Sequence, residues 1–273
     1  MKGWSGSAQT QCPIFSWHVN SAEAVDELAI LSNFPSDTEN IIYFYFEGSN
    51  NGNFESNQQF NDPSAWYHVV WQSSSLSDVR LFINGNQVTD WSTSNPVTSQ
   101  NYINQNSTCS IGSRAPANTS PSNISYYGDG YLADVYFIDG QALEPTAFGR
   151  YNSNGVWVPR EIDFNGTWGA NGFHLDFSDP DDIGNDSSGN GNDFTATGFE
   201  TADTSSPDYD LMQDSPTQNY ATLNPSIAGP FGFSTVAANL ADANLQLGTP
   251  SAGADDPTAI PTQVITGRKY FET

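Results

Sequence analysis

The chain has 273 residues, and its seven Lys or Arg against thirty-one Asp or Glu leave a formal charge of −24 at pH 7. So acidic a surface repels a nucleic-acid backbone, which binds proteins through Lys and Arg that displace counterions, and it repels an anionic membrane face for the same reason. No window reaches the roughly 18 consecutive apolar residues of a spanning helix, and residues 1–20 lack the charged and apolar blocks of a secretory signal, so a soluble chain is expected.

Aromatic residues make up 13% of the sequence, enough to build a core and to argue against disorder from end to end. Charged residues are only 14%, so solubility must come from Asn, Ser, Thr, Gln, Gly and exposed Asp rather than from mixed ion pairs. Cys12 and Cys109 are the only cysteines; one disulfide and two buried strand thiols are both open readings, and a zinc site needs more soft ligands. Glycosylation sequons at Asn106, Asn118, Asn123, Asn165 and Asn185 are read as chance in a chain so rich in Asn, Ser and Thr.

Strand signals crowd the sequence before residue 140. In chain order, residues 14–19, 28–31, 41–47, 66–72, 79–83, 88–91, 109–111 and 131–138 are short, β-branched or aromatic, and separated by clusters of Gly, Pro, Asn, Asp and Ser. Only residues 21–31 have helical composition, and that stretch is too short and too weakly periodic to found a domain. Asn84-Gly85, directly after Val79-Arg80-Leu81-Phe82-Ile83, predicts a two-residue hairpin whose turn residues both accept positive φ. Around Trp71, alternation places Trp66, His68 and Val70 on one face and Tyr67, Val69 and Trp71 on the other, both largely apolar, as in a central strand. Along 131–138 the face bearing Tyr131, Ala133, Val135 and Phe137 should meet the core, with Asp134, Tyr136 and Ile138 opposite. Strands at such spacing predict an all-β antiparallel sandwich.

After Val158 the composition changes. No Lys or Arg occurs in residues 161–267, acidic residues cluster in 176–214, and Gly, Pro and Asn become frequent. Residues 1–158 are therefore read as the sandwich, 159–199 as a Gly/Asn/Asp-rich extension, and 200–273 as a linker leading to an incomplete second β module that opens at 268–273. That final stretch, a strand start with no partner in view, makes the chain read as a piece of something longer or as one completed by another chain.

Three stretches in order, Asp62-Pro63-Ser64-Ala65-Trp66-Tyr67-His68-Val69-Val70, Leu81-Phe82-Ile83-Asn84-Gly85 and Asp129-Gly130-Tyr131-Leu132-Ala133-Asp134-Val135-Tyr136-Phe137-Ile138-Asp139-Gly140, resemble a concanavalin A-like, laminin-G-like jelly roll. Phe148-Gly149, Gly155-Val156-Trp157-Val158-Pro159, Asn171-Gly172-Phe173-His174-Leu175-Asp176-Phe177, the Asp186 to Asp193 loop and Asp214-Ser215-Pro216-Thr217-Gln218-Asn219-Tyr220-Ala221-Thr222-Leu223-Asn224-Pro225 narrow the likeness to lectin-like modules in tail-fibre and other virion proteins of marine tailed phages. It covers residues 12–225 and implies a virion-surface, host-attachment module, with a secreted or cell-surface bacterial protein as the alternative. In such proteins the last motif precedes a SPRY-like sandwich, whose first strand 268–273 resembles. The segment before Ile14 is short for this fold, so an initial edge strand is expected to be missing or supplied elsewhere.

Jelly rolls of this kind include glucanases. A retaining glycosidase needs two carboxyls about 5–5.5 Å apart, and Glu161-Ile162-Asp163-Phe164 begins such a pattern. The required second Glu falls at Asn165, and Gly166 cannot replace it, so no enzyme is expected and Glu161 and Asp163 are read as solvated. His18, His68 and His174 are the only histidines; no G-x-S-x-G elbow accompanies them, and each is read as structural. Gly189-Asn190-Gly191 precedes no Lys and no helix, which excludes a phosphate loop.

Asp186, Ser188 and Asn190 alternate ahead of Gly191 like the opening of an EF-hand, but its twelfth position is Thr197. A looser calcium site built from Asp186, Asn190, Asn192 and Asp193, with Asp181 or Asp182 nearby, is the second reading of this loop; the first is an Asx/Gly turn whose side-chain oxygens cap backbone N–H groups. No cofactor is required. Exposed aromatic faces beside fixed polar groups bind sugars, and Trp91, Tyr102, Tyr126, Tyr127 and Asp129 lie near loop or strand ends where a lectin-like module places recognition. The expected function is a non-catalytic carbohydrate or receptor-binding module with a host-surface glycan or receptor and other virion subunits as partners, multiplied by homo-oligomerisation. A purely structural fibre-shaft or decoration component is the alternative.

Overall fold

The computed structural model describes residues 2–5, 12–19, 25–31, 41–46, 52–60, 62, 65–75, 77–96, 103, 107–114, 125–160, 162, 167–199, 210–211, 215–217, 223–224, 240–241, 246–247 and 260–261. The chain divides into two units, one of residues 1–176 and 184–194 and the other of residues 177–183 and 195–273. Among the described residues the fold is all-β and sandwich-like with antiparallel pairing throughout, and its one helical element is a 3-10 turn at Pro145–Ala147. No helix among them is long and apolar enough to cross a membrane.

In the first unit the strands are β1 (Lys2–Ser5), β2 (Cys12–Val19), β3 (Val25–Leu31), β4 (Ile41–Phe46), β5 (Gly52–Gln59), β6 (Val69–Ser75), β7 (Asp78–Ile83), β8 (Asn86–Gln87), β9 (Trp91–Asn95), β10 (Ser107–Ile111), β11 (Ser113–Arg114), β12 (Ser125–Tyr127), β13 (Asp129–Tyr131), β14 (Val135–Phe137), β15 (Gly149–Tyr151), β16 (Trp157–Pro159) and β17 (Phe173–Leu175). A six-stranded sheet runs β10-β2-β3-β4-β5-β9, and β6-β7-β8, β14-β17 and β15-β16 form smaller sheets. β4 is the centre: Ile42 and Phe44 are fully buried and Phe46 nearly so, while Ile41 and Tyr43 on the other face are buried too. That two-sided burial follows from a run of six apolar or aromatic residues, which has no solvent face to offer.

Trp71 on β6 closes the core over this strand. Its ring centroid lies 5.0 Å from Phe44, 5.6 Å from Phe46 and 6.0 Å from Trp17 of β2. Phe137 of β14 and Phe173 of β17 extend the same apolar layer over Phe15 and Trp17, at 5.6–6.3 Å between ring centroids. On the far side of β6, Gln72 is buried, and its amide donates to the carbonyls of Ala142 and Leu143, which ties loop 141–144 across that face.

The Asn84-Gly85 turn forms as expected, with φ of 49° and 79°, and β7 pairs β8 across it. It is also a docking point. Asn84 exchanges backbone and side-chain bonds with His68, and the Trp157 indole lies where a Cβ on Gly85 or on Gly149 would sit. Glycine is therefore needed at 85 twice over, for the left-handed turn and for the ring that covers it.

Several sequence expectations change. The strand read at 28–31 is present and begins earlier, at Val25, within the stretch of helical composition: β3 finds ladder partners on both edges, β2 and β4, and tertiary pairing overrides a weak local preference. The stretch 131–138 is not one strand: Asp134 adopts φ +51° and breaks it between β13 and β14, although Phe137 faces the core as read. β5 was not foreseen. Its sequence is polar, but Phe54 and Ser56 point inward, and the Ser56 hydroxyl accepts from the Ile42 N–H where the β4–β5 register shifts. Lys2–Ser5 pairs with Asp129–Tyr131, so the segment before Ile14 does supply a strand. Nor does the first unit end at 158: β17 pairs with β14, and Phe173 and Leu175 are 4% and 2% exposed.

The second unit is described mainly as turns and two-residue ladders. Leu223–Asn224 pairs with Ile260–Pro261, and Leu240–Ala241 with Gln246–Leu247. Asp179 caps its own turn by accepting the Asp181 N–H. The stretch 268–273 lies outside the described residues, as do Glu161, Asp163 and Asn165.

Candidate functional site

The β14–β17 pair builds the most chemically loaded surface of the first unit, and its register explains how. Val135 faces Leu175, Tyr136 faces His174 and Phe137 faces Phe173. Side chains alternate along a strand, so once Phe137, Phe173 and Leu175 turn to the core, Tyr136 and His174 must share the opposite face. There their rings stack at 4.1 Å and 13°. Trp168 lies parallel to both, 6.3 Å from Tyr136 and 6.1 Å from His174, with interplanar angles of 6° and 7°. Three flat rings thus share one orientation.

Polar groups edge this stack. The left-handed backbone of Asp134 brings its Oδ1 to 3.2 Å from His174 Nε2 and 3.4 Å from the Tyr136 hydroxyl, which donates to it. On the other side of the imidazole, Ser187 Oγ lies 2.9 Å from His174 Nδ1 and 3.0 Å from the His174 carbonyl. Asp139 accepts from the backbone and side-chain amides of Asn171 beside Trp168.

Loop 184–194 holds Ser187 in place, and Asp186 organises that loop. The Asp186 carboxylate is buried; its Oδ1 accepts the N–H groups of His174 and Ser188, and its Oδ2 that of Asn192, all at 2.9 Å. Burial raises the carboxyl's pKa, but these hydrogen bonds outweigh burial and hold it below the usual carboxylate range. Asp193 Oδ1 accepts the Asp186 N–H. Asn190 and Asn192 each spend their side-chain NH₂ on two carbonyls, Gly169 and Gly172 for the first, Ala170 and Gly172 for the second. The four residues read as possible calcium ligands therefore sit together, engaged in the side-chain-to-backbone bonding of a turn. Among the described residues no group of three or more His, Cys, Asp or Glu is arranged to hold a metal.

The aromatic residues read as sugar contacts are not brought together. Trp91 opens edge strand β9, half-buried and edge-on to Phe54 at 5.6 Å. Tyr127, 59% exposed, is on β12, and Asp129 is on β13 beside it. β12 belongs to the two-stranded β11–β12 sheet, and Gly112, just before β11, donates to Ile14 of β2, whereas Trp91 is on β9 at the opposite edge of the six-stranded sheet, with β3, β4 and β5 between β2 and β9. Tyr126 lies on β12 with its side chain outside the described residues, and Tyr102 is outside them altogether. The Tyr136–His174–Trp168 stack was missed because its members are 32 and 6 residues apart. The one usable signal was the outward parity assigned to Tyr136 and Asp134.

His68 has a different environment. Burial pushes its imidazole down to about 4, and Nδ1 accepts from the Trp157 Nε1–H at 3.1 Å, so the ring is held neutral and works as packing. Cys109 is a free thiol on β10 opposite Trp17, and burial pushes its pKa far up, which leaves it a poor nucleophile.

No family model, curated protein or solved structure matches the chain.

Proposed function

We propose that this chain is a concanavalin A-like jelly-roll module of a phage virion that binds a host-surface glycan or receptor, used in several copies so that weak single sites add to useful avidity. The observation that carries this reading is the outward stack of Tyr136, His174 and Trp168 edged by Asp134, Asp139 and Asn171: flat apolar ring surface next to fixed hydrogen-bonding groups is the chemistry that grips a sugar ring. Two of the three rings, Tyr136 and His174, stand on a paired two-stranded element backed by the core, so binding would not have to order them first. The pairing of Lys2–Ser5 with β13 removes one motive for the purely structural alternative, an N-terminal sheet edge left open.

A glycan array and a host-cell binding assay with the full chain test the reading. Saturable binding that falls at least about ten-fold in Trp168→Ala supports it. Blank arrays and no cell binding overturn it.

A further inference from the structure

Asp134, His174 and Ser187 stand in hydrogen-bond order, carboxylate to imidazole at 3.2 Å and imidazole to hydroxyl at 2.9 Å. A carboxylate can only accept, so the proton of a neutral His174 belongs on Nε2, facing Asp134, and the lone pair of Nδ1 faces the Ser187 hydroxyl. That is the relation a general base needs to a serine: within hydrogen-bond reach of the proton it removes and fixed in tautomer by a third group. The rings of Tyr136 and Trp168 hold the imidazole plane, the Tyr136 hydroxyl shares the Asp134 oxygen, and Ser187 is exposed. Asp134 keeps a left-handed conformation at φ +51°, which β-strand continuity would not require and which puts its carboxylate on the ring.

We propose that Ser187 is an activated nucleophile that accepts the acyl group of small carboxylic esters, with His174 as its base and Asp134 as a positioning residue. Ser187 Oγ attacks the ester carbonyl while its proton passes to His174 Nδ1. The bond to the leaving alcohol breaks, and that alcohol takes the proton from Nδ1. Water, giving its proton to the same nitrogen, then adds to the acyl-serine; the acyl bond to Oγ breaks, Oγ takes that proton back from Nδ1, and the carboxylic acid leaves, which restores Ser187 and His174. The adjacent Ser188 N–H is spent on Asp186, so it does not serve a developing oxyanion, and the hydroxyl proton is divided between Nδ1 and the His174 carbonyl. Acylation is accordingly one per chain with slow release, not fast turnover. This inference does not rest on glycan binding; blank arrays with a labelled Ser187 would sink only the former reading.

The decisive experiment treats the full chain with a fluorophosphonate probe and maps the modified serine by peptide mass spectrometry. Ser187 should be labelled at least about ten-fold faster than Ser188 or any other serine, His174→Ala should slow it on the order of a hundred-fold, and Asp134→Asn should slow it where Asp134→Glu restores it. Because the wild-type map needs no variant, a misfolded mutant cannot obscure the result. A wild-type protein labelled no faster at Ser187 than at other serines overturns the proposal, as does labelling unchanged in a folded His174→Ala protein.

Discussion

Strand β4 and loop 184–194 are both ordered parts of the first unit, and they are held by opposite means. β4 is built from Ile, Tyr and Phe, with Ile42 and Phe44 fully buried, and its order comes from removing apolar surface from water. The loop is mostly Gly, Asn, Asp and Ser, and its order comes from two carboxylates and two side-chain amides satisfying the backbone groups around them. Its apolar anchors are few, chiefly Phe194 against Phe173 at 4.8 Å. Hydropathy alone registers the first kind of order and reads the second as linker.

The sharpest way to break that contrast is to remove one support from each side. Phe44→Ala should cost about 3–5 kcal/mol, since it opens a cavity beneath Trp71, and should lower the urea midpoint of the whole first unit. A loss below about 1 kcal/mol would mean that β4 is not the centre of the core.

Acid should act on the core side next. His68 is neutral in the folded chain with a pKa of about 4, against the usual 6.5. The unfolded chain binds the extra proton first, so this contribution is complete above about 6.5, declines as pH falls from there, and is gone once pH has passed through about 4, a total of about 3 kcal/mol. His68→Gln should flatten that slope in urea unfolding curves taken across the window; an unchanged slope would separate the Trp157–His68 contact from stability.

What the sequence made legible follows the same division. The all-β class, the Asn84-Gly85 turn and the core side of Phe137 rest on period-two alternation and turn chemistry, which one sequence displays directly, whereas the central strand read at 66–72 begins only at Val69 and is the edge of the β6-β7-β8 sheet. β5 was hidden because only Phe54 among its residues is large and apolar, and its other inward side chain, Ser56, acts through a hydroxyl bond to Ile42 across 14 residues. The Asp134–His174–Ser187 relay was hidden for a like reason. Spacing does not announce that two short strands pair in a register that sets Tyr136 opposite His174, nor that a left-handed Asp lies next to that pair. Residue type and nearness to turns group Trp91 with Tyr127, but neither tells that the two lie in different sheets, β9 in the six-stranded one and β12 paired with β11.

On the polar side, Asp186→Ala strips acceptors from the N–H groups of His174, Ser188 and Asn192 and should cost about 2–3 kcal/mol, less than Phe44→Ala because water can reach part of the loop. The loss should be local: amide exchange should quicken at residues 174, 188 and 192 while 42–46 stay protected. Exchange that rises equally in both places would mean the loop and the core unfold as one. The carboxyl's lowered pKa gives the pH sign. Its stabilisation is present above the ordinary carboxylate value of 3.8 and fades as pH falls through the lower folded value, so acid should loosen this loop only after His68 has already charged.

Calcium should produce the smallest effect. A hard cation needs several free oxygens, and here both Asp186 oxygens already accept three N–H bonds while Asp193 Oδ1 accepts a fourth. Coordination by Asp186 would compete with backbone bonds that the turn relies on, and the amide nitrogens of Asn190 and Asn192, not their oxygens, are what the loop employs. Adding millimolar calcium to chelator-treated protein should therefore move the melting temperature by less than about 1 °C and release no saturable heat in calorimetry. A clear rise in melting temperature that disappears in Asp186→Asn would show that the loop rearranges around an ion, and would replace side-chain capping with metal binding as the source of its order.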